Sequence, residues 1–488
     1  MSIDGREVPV LHPKGDGYEL DEKALSHILM DSDVKERYVV VVSVAGDYRK
    51  GKSFLLDYFL RYLNFKYPTK EKTENESEAA WMGKDGDPLE GFSWRYGSKR
   101  HTKGIWMWSR VFLTTLATKE KIAILLLDTQ GSFDTESTMN QSATVFALST
   151  MVSSNQCFNV SKNIQENDIN NLQFFTEYGR IALEFEEQHT PFQRLIFLVR
   201  DWEYPGEASY GEGGGQTILE ERLRYEKSMP TEKRMVRQHI RTCFSDIRCF
   251  LMPHPGPAIT DPRFNGRLKD LSTDFKLHLS VLVPWILSPE NLIIKQISGK
   301  KVRAKELTKF FLSYSKVLSG RDLPEPKTLY MATADGNNAV AVAEAKELYN
   351  YIMIEEIMEG QRKYVEPLVL RVEHKRVKES VMDHFDAIKK IGGEEYSAEY
   401  RKKLDDELEQ MFRQIYMANH SRKHWYWRKP ALYAGAALSF IALGQILRRM
   451  GVSKLTIMCD VAFKIAIFGI LSWFYARYRD LDDRSRHP

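Results

Sequence analysis

Cysteine is scarce in this chain. Cys157, Cys243, Cys249 and Cys459 share no short metal-ligand spacing, and four in 488 residues cannot make a disulfide framework. A reducing compartment is the resulting expectation. An excess of one charge is also missing: 70 Lys and Arg stand against 66 Asp and Glu, which leaves +4. A nucleic-acid binder would concentrate a basic face, so no nucleic-acid partner is expected. The opening residues MSIDGREVPVLHPKGDGYELDEK lack the basic-then-apolar order of a signal peptide and a glycine after the first methionine. Neither secretion nor myristoylation is expected, which places the main chain in the cytosol. With 43% hydrophobic and 28% charged residues the chain is globular, and its length suits two or three folded units.

What is present begins with valine. The stretch VVVVSVAGDYRKGKSFLLDYF occupies residues 39–59. β-Branched residues that are apolar on both faces favour a central parallel strand. Gly46-Asp47-Tyr48-Arg49-Lys50-Gly51-Lys52-Ser53 then matches Gly-x-x-x-x-Gly-Lys-Ser in full, and Phe54, Leu55, Leu56, Phe59, Leu60 and Leu63 recur at helical spacing. Strand, glycine loop and helix in that order separate a phosphate site from a basic surface turn. Glycine permits the close backbone approach, and the loop amides with the helix start surround phosphate oxygens. The residues expected on the nucleotide here are Gly46, Arg49, Lys50, Gly51, Lys52, Ser53 and Phe54. Lys52 would reach the outer phosphates and the Ser53 hydroxyl would coordinate magnesium. Arg49 either reaches phosphates, its own or a neighbour's, as an arginine finger does, or adds only to a solvated surface.

A second apolar strand, KIAILLLD, ends in Asp128, and Thr129-Gln130-Gly131 completes an Asp-x-x-Gly pattern. Asp128 is the expected magnesium-side carboxylate at the sheet's carboxyl edge, and the Gly131 N–H is placed to sense a γ-phosphate. The charged segment 70–101 leads to Thr102, which is either a switch threonine on magnesium or an ordinary strand-initiating residue. LIFLV runs into Arg200-Asp201-Trp202, and RCFLM into Pro253-His254-Pro255-Gly256. Asp201 could accept two hydrogen bonds from guanine that adenine cannot offer. Pro253, His254 and their neighbours could cover the base, although strands also end in Asp or Pro-Gly where no nucleotide binds. The glycine-rich 204–215 is expected to be a surface loop without chemistry.

Taken together, the Arg-bearing phosphate loop, Asp128-Thr129-Gln130-Gly131 and Arg200-Asp201 resemble the atlastins, dynamin-superfamily GTPases that fuse tubules of the endoplasmic reticulum. They resemble the guanylate-binding proteins more distantly. The likeness covers most of the chain and implies a role for each matching position. Arg49 would be the finger, engaged when two GTPase heads pair. Lys52 and Ser53 would hold phosphate and magnesium, and Thr102 would hold magnesium and position water. Asp128 and Gly131 would form the second switch. Arg200 and Asp201 would read guanine in place of Asn-Lys-x-Asp, under a loop at 253–256 that also joins the head-to-head contact. The implied catalytic set is Arg49, Lys52, Ser53, Thr102 and Gly131. The implied metal set is Ser53, Thr102 and Asp128 on Mg2+, with GTP as substrate and GDP as product. A homodimer in cis and trans, the lipid bilayer and ER-shaping proteins are the implied partners.

Beyond the head, residues 318–326 carry two prolines and form a candidate hinge. A helix is expected to open at Ala339 and run toward Met358. Stripes of Val377, Val381, Phe385, Ile388 and of Leu404, Leu408, Met411, Phe412, Ile415, Tyr416 suit an antiparallel bundle, with Gly392-Gly393 between them. Two apolar stretches follow, 431–447 and 455–475, behind an interfacial girdle of Trp425, Trp427 and basic residues. Asp460 and Lys464 are spaced to pair along one face. Arg448, Arg449 and Lys454 at the turn oppose the usual charge bias, which a hairpin that penetrates without crossing relieves; two buried soluble helices are the other reading. Only 480–488 follows Arg479, so the amphipathic tail of the family is expected to be missing or shortened.

The expected fold is α/β: a P-loop GTPase domain with a mostly parallel central sheet (1–318), a linker (319–327), an all-α helical bundle (328–424), a membrane hairpin (425–479) and a short cytosolic tail (480–488). The expected function is GTP hydrolysis coupled to homotypic tethering and fusion of endoplasmic reticulum membranes, with head, bundle and tail facing the cytosol. Two alternatives stand beside it: tethering or shaping without efficient fusion, and a soluble GTPase of the guanylate-binding kind.

Overall fold

The computed structural model describes residues 4–15, 17–47, 50–68, 78–94, 102–131, 139–185, 190–319, 324–358 and 364–486. They divide into two compact units, Met1–Val340 with Lys390–Ser397, and Ala341–Lys389 with Ala398–Pro488. Arg49, residues 70–77 and 95–101 of the charged segment and the hinge positions 320–323 lie outside the described residues.

The first unit is built on a nine-stranded sheet. Its strands are β1 Glu7–Lys14, β2 Gly17–Leu20, β3 Tyr38–Gly46, β4 Ile105–Trp108, β5 Phe112–Thr115, β6 Lys121–Thr129, β7 Asn155–Ser161, β8 Phe192–Arg200 and β9 Phe244–Leu251. The order is β2-β1-β4-β6-β3-β7-β8-β9, with β5 also paired to β6. From β6 to β9 the neighbours are parallel, whereas β1, β2, β4 and β5 pair antiparallel. The valine run explains the centre. Val39, Val41 and Ala45 point into one core, while Val40, Val42 and Val44 point into the other, against Phe54, Phe59 and Phe275. A strand buried on both faces has no polar side, and this one shows only Ser43 as an exception.

β3 has β6 on one side and β7 on the other, so the chain leaves it in opposite directions. Such a switch point opens a crevice at the carboxyl ends of the strands. Gly46, Asp128, Asn159 and Arg200 all arrive at that edge. Register places Val44 beside Asp128 and Gly46 beside Asn159.

The glycine run is not a loop. Gly213, Gly214 and Gly215 lie in the first turns of a helix, Glu212–Arg222, packed on β9. A Cβ on Gly214 would stand 1.8 Å from the Ser209 carbonyl oxygen, and one on Gly215 2.3 Å from that of Cys249. Absent side chains are what allow helix and strand backbones to approach this closely.

The arm helix also begins earlier than Ala339. It runs Pro326–Asn350 and continues as a wider π turn, Tyr351–Ile357. Pro326 suits a first helical turn, where its missing N–H leaves no bond unmade. Leu329, Tyr330 and Ala334 join the head core with Phe310 and Tyr314, so the first unit keeps this helix as far as Val340. In the second unit, Tyr349, Val377, Val381, Phe385, Leu404 and Leu408 form the bundle core.

The helix Glu394–Arg449 passes through Pro430 without a break, and Ser453–Arg486 follows it. Pro430–Arg449 and Ser453–Tyr475 are each long and apolar enough to span a bilayer, and both are largely uncovered by protein. Asp460 takes Arg448 across the turn at 3.1 Å in place of the expected Lys464.

Candidate functional site

The phosphate loop leaves β3 through Gly46, whose φ of +128° suits glycine. A Cβ there would lie 2.1 Å from the Asn159 carbonyl oxygen. Gly51, at φ +71°, starts the helix Lys52–Lys66. Lys52 is folded back into the loop: its Nζ donates to Asp47 O at 2.9 Å and to Gly46 O at 3.3 Å. Burial lowers its pKa to about 8. Burial also raises the Asp47 carboxyl. The Phe54 ring turns inward to an aromatic cluster, 5.2 Å from Trp94 and 6.1 Å from Phe264, so only its main chain belongs to the loop.

Three separate segments meet on one oxygen. Ser53 Oγ donates to Asp128 Oδ2 at 2.7 Å, and Thr102 Oγ1 donates to the same atom at 2.9 Å. Asp128 is buried, and its Oδ1 has no hydrogen-bond partner. Burial raises its pKa, opposed by Ser53, Lys52 and Thr102 in turn. Two hydroxyls and an unfilled carboxylate form an all-oxygen donor set, which fits a hard divalent ion such as Mg2+. Among the described residues no three His, Cys, Asp or Glu side chains cluster as a metal site. An ion held by hydroxyls, phosphate and water needs none.

The segments of Thr102 and Asp128 are stitched together by Gln130, which the sequence reading left without a role. Gly104 N donates to Gln130 Oε1 at 3.0 Å, Tyr18 OH donates to the same oxygen at 2.9 Å, and Gln130 N donates to Gly104 O at 2.8 Å. Gly131 follows, buried at the edge of the described residues. Asn159 was missed as well. Its Nδ2 donates to Lys50 O at 3.1 Å, and nothing in the spacing of an amide 109 positions away could have signalled this.

On the other side of the loop, Asp201 follows β8 with φ +58°, an uncommon value for a non-glycine residue. Arg200 is buried beneath the loop. His254 and its neighbours are pinned: Gly256 N donates to His254 Nδ1 at 3.1 Å, and Ser272 Oγ donates to His254 O at 3.0 Å.

Phosphate loop, oxygen donor set and a mixed sheet with a parallel run from β6 to β9 define a P-loop nucleotide hydrolase. A family model for the N-terminal domain of guanylate-binding proteins matches residues 16–296. The chain is 48% identical to Atlastin of Drosophila melanogaster over 464 residues, 94% of this chain and 84% of that one. It is 44% identical to Atlastin-1 of Bos taurus over 475 residues, 96% of this chain and 83% of that one. It is 42% identical to Atlastin-2 of Homo sapiens over 474 residues, 97% and 79% respectively. It is thus a GTPase of the dynamin superfamily. The chain belongs to the atlastin family, whose GTP hydrolysis depends on Mg2+ and drives homotypic tethering and fusion of endoplasmic reticulum membranes. Like the family, it homodimerises and is anchored in that membrane, here by the two apolar helices, with cytosolic domains.

Proposed function

We propose a division of labour among this chain's residues for that activity. Lys52 and the main chain from Gly46 to Phe54 bind the nucleotide's phosphates. Ser53, Thr102 and Asp128 hold magnesium, which when bound neutralises phosphate charge. Thr102 also orients the attacking water, and the Gly131 N–H follows the γ-phosphate. Asp201 accepts from guanine, under the cover of Pro253 and His254. Arg49 supplies positive charge to the transition state when two heads pair. In this scheme positioning and electrostatics carry the rate, and no side chain acts as a strong base.

The observation that carries the reading is the shared Asp128 Oδ2, on which Ser53 and Thr102 converge from different segments. The two hydrogen bonds aim three oxygen donors at one point, where Ser53, Thr102 and Asp128 would hold a magnesium ion. Hydrolysis then releases Thr102 and Gly131 together, because Gln130 ties their segments. We propose further that ER-shaping proteins are membrane neighbours of the anchored dimer.

Reconstituted vesicles test the coupling. Lipid mixing with GTP, absent with a non-hydrolysable analogue, is the expected result; clustering without mixing would assign tethering alone.

A further inference from the structure

Arg200 and Asp201 are adjacent in sequence, yet the fold separates what they touch. Arg200 is the last residue of β8, and its guanidinium runs under the phosphate loop. Nη1 lies 3.4 Å from Gly51 O and 3.5 Å from Lys50 O, long contacts that orient more than they bind. The guanidinium also sits 5.7 Å from the Phe275 ring centroid. A Cβ on Gly51 would meet its Nη2 at 3.5 Å, so it packs directly behind the glycine that starts the helix. Lys50 O receives a second donor, Asn159 Nδ2 at 3.1 Å.

Two physical consequences follow. In a trans peptide the C=O and the next N–H point in opposite directions. Holding the Lys50 carbonyl with Arg200 and Asn159 therefore turns the Gly51 N–H toward the phosphates, while the Gly51 carbonyl is shared between Arg200 and Leu55 N at 3.1 Å in the first helical turn. The second consequence is electrostatic. Arg200 is only 4% exposed, its Nε is buried without a partner, and among the described residues no salt bridge joins it to a carboxylate. The adjacent Asp201 carboxylate balances it only through space, with no direct ion pair, and a phosphate on the other side of a thin loop adds counter-charge.

We propose that Arg200 is a positioning residue of the phosphate loop and not a reader of the base: with Asn159 it sets the direction of the Gly51 N–H, and bound phosphates add counter-charge. This rests on the guanine-site assignment above and leaves base recognition to Asp201 alone.

Calorimetry on the full-length protein in detergent, with GTP, GDP, GMP and ITP, tests it. Arg200→Gln is expected to weaken GTP and GDP by at least about tenfold. GMP, which lacks the outer phosphates, should weaken far less, and the preference for GTP over ITP should persist. Asn159→Ala should show the same pattern in milder form. Equal losses for GMP and GTP, a collapsed GTP preference over ITP, or unchanged GTP affinity would each overturn the proposal. If Arg200→Gln does not fold, judged by thermal unfolding without nucleotide, Arg200→Lys and Asn159→Ala carry the same comparison. Asp201→Asn tests the guanine assignment separately: preference should pass from GTP to XTP. Its failure would remove the base reading and leave the phosphate series to decide on Arg200.

Discussion

Asn338 and Ile391 are joined as two strands would be, but through a side chain. Asn338 Nδ2 donates to Ile391 O at 3.1 Å, and Ile391 N donates to Asn338 Oδ1 at 3.4 Å. Both residues are buried in the first unit, 53 positions apart in sequence. The second unit repeats the device: Asn419 grips both backbone groups of Val365. Removing the amide strands a buried N–H and a buried C=O together, and each orphan costs about 1–3 kcal/mol. Asn338→Ala should therefore lower head stability by at least about 2 kcal/mol. Asn338→Asp keeps the acceptor but loses the donor, so it should not rescue. Denaturant unfolding with and without nucleotide measures this, and a wild-type midpoint for Asn338→Ala would refute it.

Thr102 and Ser53 share one carboxylate oxygen, but they approach it differently. Ser53 is fixed at the start of a buried helix, whereas Thr102 sits outside regular structure, before the short strand β4. The threonine is thus the partner able to leave when the γ-phosphate is lost. Thr102→Ala should reduce kcat by about 10²-fold while GTP affinity changes little, since it removes a group that acts mainly in the transition state. Ser53→Ala should instead weaken magnesium-dependent GTP binding. Phosphate release and calorimetry separate these outcomes; equal effects of both variants on affinity would contradict the division.

Arg49 lies outside the described residues, and its role rests on its place in the phosphate loop and on the family. A finger acts on charge that develops only during transfer, so its loss should spare binding. Arg49→Ala is expected to lower stimulated hydrolysis by about 10³-fold with GTP affinity near normal. Turnover close to wild type at high protein concentration would end that assignment.

What could be read from sequence was local. The valine strand, the glycine loop and the apolar strand before Asp128 each announce themselves within a dozen residues, because period and motif coincide there. Their convergence on Asp128 Oδ2 was inferable only through the motif order. Contacts without a local signature stayed hidden: Asn159 reaches Lys50 from a strand end that carries no pattern, and Gln130 stitches Gly104 to its own strand. Gly214 and Gly215 misled for a physical reason. Glycine signals a loop until a neighbouring backbone comes so close that no side chain fits. The stretch from Lys327 to Asn338 concealed a helix start in a similar way, because its buried face mixes Leu329, Tyr330, Ala332 and Ala334 with the polar Thr333 and Asn338. Asp460 was assigned to Lys464 by spacing along one helix, yet Arg448 across the turn lies within reach.

Lys295 offers a test of burial itself. It is 1% exposed, its Nζ donates to Ser153 O at 2.9 Å, and Tyr178, Tyr314 and Thr333 line a cavity beside it. Burial lowers its pKa to about 7 from an ordinary 10.5. Between those values the unfolded chain holds a proton that the folded chain lacks, so the folded state gains stability as pH rises through this window. Below pH 7 the lysine is charged in both states, and the cost of burying that charge is present in full. Lys295→Met retains the apolar stem and removes the titration. The variant should be more stable than wild type near pH 6, with its advantage shrinking steadily toward pH 9. The lost bond to Ser153 O, worth about 1 kcal/mol, should let wild type draw level at the upper end. Unfolding midpoints for the two proteins across that range decide the matter. A gap that stays constant with pH would mean that Lys295 keeps its proton throughout, and the cation would then need a counter-charge in the core.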